Sequence, residues 1–263
     1  MDSAALIEHN IRAHDRVADS YAAEHGEIYN PIEQARLRAT LAAALGEVRS
    51  GGLRALDFGA GAGNLTDHLV ALGAQVRAAD VSPEFLRQLS ARGIAAAQLN
   101  GEDLREFADA SFDFVGTYSV LHHVPDYLKA VREMARVLRP GGILYIDHEV
   151  APGYWAPSDA YRAYWAEFAP PRSFGTRLLN LTRPSWYVMR MRLLLNPRYK
   201  PEGDIHVWPD DHIEWNWIEE AAACEVLQRT DYLLCRRDCP QHLYERYKDR
   251  CADVRVMVAR KPG

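Results

Sequence analysis

The sequence predicts an α/β fold built on a doubly wound, seven-stranded, mostly parallel sheet. Three observations carry this expectation. Short apolar runs alternate with amphipathic helical patterns from Leu53 onward, a glycine-rich turn joins the first run to the first helix, and the composition can bury a large core. The chain has 263 residues, 48% hydrophobic and 25% charged, the balance of an ordinary globular protein. Its 17 glycines and 14 prolines exclude collagen-like and low-complexity classes, and a net charge of −5 offers nucleic acid no general attraction. No apolar run approaches the roughly 20 residues a membrane helix needs, and the start MDSAALIEHN shows neither a basic nor an apolar leader segment. A cytoplasmic protein is expected.

Residues 3–45 read as helices, interrupted at Gly26 and at Asn30-Pro31, because proline turns the residue before it away from helical geometry. The alternation then begins: strand from Leu53 to Phe58, helix from Asn64 to Leu72, strand from Gln75 to Asp80. Ser82 is a candidate N-cap and Pro83 a first helical residue for a helix to Ala91. Further strands are expected at Ile94 to Leu99, Phe112 to Tyr118 and Ile143 to Asp147, with a helix from Asp126 to Leu138 stopped by Pro140-Gly141-Gly142. After Val150 the alternation lapses. It resumes with a helix at Asp210 to Ala223 and strands at Glu225 to Cys235 and Val254 to Ala259, which can close the sheet as an antiparallel edge. The expected organisation is a helical cover over residues 1–50, a core over 51–150 and 210–263, and a helical cap over 151–209.

The segment ALDFGAGAGNL, Ala55 to Leu65, carries the most chemistry. A buried strand ends at Asp57, three glycines alternate at Gly59, Gly61 and Gly63, and a helix follows at once. Such a turn brings backbone amides close to a ligand, and a helix N-terminus adds unpaired N–H groups suited to a carboxylate or phosphate. Asp80 ends the next strand, where its carboxylate can accept both hydroxyls of a ribose. The dinucleotide fingerprint GxGxxG would require glycine at Asn64.

An acid followed by GxGxG instead resembles the class I S-adenosylmethionine-dependent methyltransferases. The resemblance continues through Asp80, through NGEDL (Asn100 to Leu104) as adenine loop, through FDFVGTYSVLHHVPD (Phe112 to Asp126) as fourth strand and loop, and through LRPGGILYIDHE (Leu138 to Glu149). It implies a Rossmann-like methyltransferase fold with S-adenosylmethionine as cofactor and S-adenosylhomocysteine as product. Asp57 would then lie near the ammonium, Gly59, Ala60 and Gly61 along the methionine part, Asp80 on the ribose, and Val81 on the adenine face. Asn100, Gly101 and Glu102 would form the adenine loop, where the family often has aspartate followed by alanine. Tyr118 would stand at the fourth strand end. Tyr21 and Tyr29, with His25, occupy the region that folds over the cofactor in similar enzymes, either as ligand contacts or as packing of an amphipathic helix.

Methyl transfer from a sulfonium needs alignment more than a strong catalytic motif. The candidate bases are His122, His123 and His148, on loops that open onto the cofactor edge; packing roles for the pair His122-His123 stay open. No NPPY-type or DPPY-type tetrapeptide follows the fourth strand, so base amines of nucleic acid are not expected as acceptors. The six tryptophans and four cysteines all lie after residue 150. Residues 151–209 hold eleven aromatics and eight basic against four acidic residues, a charge of +4 that leaves −9 for the rest.

The cap is expected to bind a small apolar or aromatic acceptor, or simply to fill its own core. Trp186 to Lys200 also fits contact with a membrane surface. Two other readings are a methyltransferase acting on protein or RNA through this basic cap, and a non-catalytic cofactor-binding module. Cys235, Cys239, His242 and Cys251 have atypical zinc spacing and read as reduced thiols, with no metal expected.

Overall fold

A computed structural model describes residues 3–18, 21, 25–46, 52–169, 184–195 and 211–263. In chain order the elements are α1 (Ser3–Val17), α2 (Gly26–Tyr29), α3 (Pro31–Gly46), β1 (Arg54–Phe58), α4 (Asn64–Ala71), β2 (Gln75–Asp80), α5 (Pro83–Ala91), β3 (Ala95–Gln98) and β4 (Phe112–Tyr118). They continue with α6 (Tyr127–Val137), β5 (Leu138–Val150), α7 (Pro152–Trp155), α8 (Asp159–Phe168), α9 (Pro184–Leu195), α10 (Trp215–Ala222), β6 (Glu225–Tyr232), α11 (Gln241–Tyr247) and β7 (Val254–Arg260). Among the described residues seven strands form one sheet in the order β3-β2-β1-β4-β5-β7-β6. The β1–β5 pairings are parallel, whereas β7 lies antiparallel between β5 and β6.

A parallel sheet must be covered on both faces. On one face α3 and α4 bury Leu37, Leu41, Leu65 and Leu69 against Ala55, Phe114, Ile143 and Tyr145. On the other, α6 and α10 bury Val131, Met134, Trp215 and Ile218 against Leu56, Val115, Leu144 and Met257. The alternation of β5 residues between the two clusters is the two-residue period of a strand. Ser82 caps α5 by accepting from the Phe85 N–H, with Pro83 in the first turn.

Two differences from the sequence expectation have local causes. The helix predicted to Leu138 ends at Val137, and the chain turns extended there, with Leu138 paired to Phe112. Pro140 favours this, because it biases Arg139 out of helical geometry. The connection from β6 to β7 also differs from plain core: Leu233, Leu243 and Tyr247 pack with Tyr161 and Tyr164 of α8. Residues on both sides of the expected cap boundary therefore share one aromatic cluster. Of the basic stretch after Trp186, α9 is described to Leu195, and residues 196–210 lie outside the described residues. No described helix is long and apolar enough to cross a membrane.

Candidate cofactor and active site

The strand order places the carboxyl ends of β1, β2 and β4 side by side, with α4 starting just beyond β1. At this switch point lies a cleft of about 1260 Å³, counting the space open to solvent at its mouth. Backbone geometry makes the turn specific. Gly59 has φ +72°, and a Cβ there would meet the Val120 side chain at 2.5 Å. Gly63, at φ +94°, would drive a Cβ into Leu89 at 2.7 Å. Gly61 has no atom within 4 Å of such a Cβ, so the space beside it is open in the cleft it lines, while its N–H is held by Asp80.

Two buried carboxylates face this loop. Asp57 is 1% exposed; its Oδ2 accepts from Thr66 Oγ1 at 2.6 Å, while its Oδ1 is buried without a hydrogen-bond partner. Burial raises its pKa to about 7 against the hydroxyl that favours ionisation. Asp80 takes one backbone N–H on each oxygen, from Gly61 and from Ser82, both at 2.8 Å. A carboxylate has about four acceptor positions, so two remain for a ligand. Burial raises the Asp80 pKa as well. An orphaned buried acceptor suits an ammonium, and a carboxylate with spare lone pairs suits a pair of hydroxyls.

Ala60, Val81, Gly101, Glu102, Tyr118, Tyr21 and Tyr29 also line the cleft. Burial pushes the Tyr29 phenol up to about 12. Asn100 is not among the lining residues. Its carboxamide oxygen accepts from the Glu102 and Asp103 N–H groups at 2.7 and 3.0 Å, and its Nδ2 donates to Asp103, so this side chain shapes the loop. Two residues outside the sequence expectation, Asn10 and His14 of α1, reach the cleft instead. Nothing local marks them, since α1 shows only a helical pattern until its docking partner is known.

Of the three candidate histidines only His123 lines the cleft. His122 places Nδ1 2.9 Å from Glu149 Oε2, while Glu149 Oε1 accepts from the Val120 and Leu121 N–H groups. Glu149 thus pins the loop after β4. His148, at φ 60°, sits at a register shift of β5 against β7 and packs on Tyr118 with ring centroids 4.7 Å apart. That shift breaks the strand's alternation, so Asp147 and Glu149 serve different partners.

Asp147 belongs to a buried network that sequence reading missed. Arg36 of α3 donates to Glu33 and to Asp147, at 2.5 and 2.9 Å through Nη2. Hydroxyls of Tyr145 and Tyr232 also reach Asp147, and that of Tyr118 donates to Glu33 at 2.9 Å. Burial alone would raise the Glu33 pKa, but His148 and Arg36 overcome it and hold the carboxyl at about 2. On sequence, Glu33 and Arg36 look like an ordinary helix-surface pair.

Residues 56–146 match the methyltransferase domain family. Over 101 residues, covering 36% of this chain and 42% of the relative, the sequence is 39% identical to a ubiquinone biosynthesis O-methyltransferase of Xanthomonas oryzae pv. oryzae. The chain thus spans less than half the length of the curated relatives it matches. Its fold is similar to an S-adenosylmethionine-dependent methyltransferase of Mesorhizobium loti, with TM-score 0.54 and 23% identity over 85% of this chain and 96% of that one. It is also similar to a methyltransferase of Methanosarcina mazei, with TM-score 0.53 and 18% identity over 83% and 96%. The matched span holds Asp57, the glycine loop, Asp80 and β4 together, so the elements that line the cleft fall within the segment that resembles a methyltransferase domain.

Proposed function

We propose that the protein transfers a methyl group from S-adenosylmethionine to a small, largely apolar or aromatic acceptor, with oxygen the favoured atom. The observation that carries this reading is the unpartnered, buried Asp57 Oδ1 in the same cleft as Asp80, one acid suited to the cofactor's ammonium and one to its ribose. When bound, S-adenosylmethionine supplies a methyl group already activated on a sulfonium, which leaves alignment to the protein. Asp57 would hold the ammonium, Asp80 the ribose hydroxyls, and the Gly61 edge the chain between them. Ile28, Phe58, Phe85 and Val124 give the cleft apolar walls. Of the two lining histidines, His14 and His123, the one on the loop after β4 is His123, which is proposed to take the acceptor's proton. Oxygen is favoured by the curated relatives, which are named as O-methyltransferases of ubiquinone biosynthesis.

A methyl-labelled donor incubated with a panel of phenols, catechols, amines and carbon acids tests this. Label should appear on a phenolic or catecholic oxygen, and His123→Ala should lower kcat by about 10²-fold if it acts as general base. Cofactor binding with no label on any acceptor would reduce the protein to a binding module.

A further inference from the structure

Away from the cleft, we infer that α9 is a docking face for an anionic membrane surface, on which the helix lies flat with Val188, Met191 and Leu194 at the acyl boundary. Tyr187, Met191 and Leu194 are spaced by four and three residues, and Val188 stands three before Met191, so the four share one helix face. All four are exposed, Met191 to 62% and Leu194 to 83%. A single exposed apolar side chain is ordinary, but four in register on a helix of 12 residues make a patch. The helix holds Arg190 and Arg192 and no acid. In sequence, residues 172–200 carry seven basic side chains and no acidic one, a charge of +7 in a chain whose total is −5.

An anionic bilayer meets both features at once. Its headgroup phosphates attract the basic stretch, and its hydrocarbon takes the valine, methionine and leucine side chains out of water. A helix of 12 residues rises about 18 Å, well short of the roughly 30 Å hydrocarbon core, so it can lie along the surface but not cross. A nucleic acid would also answer the charge, but bases stack on aromatic rings and would leave these three apolar side chains in water. A second copy docked about a two-fold axis would set one +7 stretch against another. The docking needs no particular acceptor, though it would bring the protein to where the apolar acceptor proposed above dissolves.

Cosedimentation of the full chain with phosphatidylcholine vesicles, with and without phosphatidylglycerol, tests the assignment. The protein should bind the anionic vesicles, more weakly as salt rises, and stay in solution beside the neutral ones. Met191→Gln combined with Leu194→Gln keeps the charge and places good helix formers at two exposed positions. This variant should unfold at the wild-type temperature yet partition about tenfold less onto anionic vesicles. Hydrogen exchange on the unaltered protein supplies a second measurement that needs no variant to fold: anionic vesicles should slow exchange across residues 184–195. The assignment is overturned by a wild type that ignores anionic vesicles, by a double variant that partitions fully, or by bound protein with unchanged exchange over residues 184–195. Tighter binding to an RNA oligonucleotide than to the vesicles would give the basic stretch to nucleic acid instead, and a dimer in ultracentrifugation that the double variant dissolves would give the face to a second copy. Failure to bind S-adenosylhomocysteine would overturn the cofactor reading alone.

Discussion

On the two sides of Tyr118 the chain treats buried carboxylates in opposite ways. Facing the cleft, Asp57 and Asp80 meet only a hydroxyl and backbone N–H groups, and among the described residues no lysine or arginine pairs with either. Behind Tyr118, Glu33 and Asp147 share Arg36 and three tyrosine hydroxyls. Burial therefore wins in the first pair and raises both pKa values, whereas in the second the cation and hydrogen bonds win and hold Glu33 at about 2. The difference separates two cleft-lining carboxylates without a cation beside them from a clamp that fastens α3 to the sheet.

The largest expected effect tests the clamp. Glu33→Gln leaves Arg36 and Asp147 buried with their partner set broken, and should destabilise the fold by about 3 to 5 kcal/mol, read by chemical denaturation. A change below about 1 kcal/mol would mean that the network holds nothing. Next, Asp80→Ala removes the two proposed ribose bonds and should weaken S-adenosylhomocysteine binding by about 3 kcal/mol or more in calorimetry. Unchanged affinity would move the ribose elsewhere.

Asp57 sharpens the comparison through pH. Its folded pKa is raised above the unfolded value, so the native state holds the extra proton and stability should fall as pH climbs from about 4 to about 7, then level off. Ligand affinity should run the other way, increasing through pH 7 as the carboxylate ionises against the ammonium. Asp57→Asn should abolish that slope and cost about 1.5 to 3 kcal/mol of binding at pH 8. The smallest effect is expected at the wall between the two groups: Tyr118→Phe should lower stability by about 1 kcal/mol and leave affinity nearly unchanged. A larger loss of binding than of stability would make its hydroxyl part of the cleft.

The glycine turn and the cleft acids were legible because their signals are local. Strand period, Asp57 and the positive-φ glycines at Gly59 and Gly63 fall within one strand and turn, and Asp80 ends the next strand. Residues whose role depends on a distant partner were not legible. Arg36 and Asp147 are 111 positions apart, and the packing of α8 against α11 crosses the boundary that the resumed alternation placed at residue 209. Asn100 was expected at the adenine, but it does not line the cleft and its own loop's N–H groups claim its oxygen.

By itself, the sequence determined the doubly wound core, the glycine turn after β1 and the two acids that line the cleft beside it, because backbone conformation and hydrophobic period are written residue by residue. Only the tertiary structure decided that His123 rather than His122 or His148 reaches the cleft, that His122 is taken by Glu149, and that Ile7 of α1 lies against Gly101. Those outcomes rest on which buried donor meets which acceptor across the chain, and burial gives each such group only the partners that packing brings within reach.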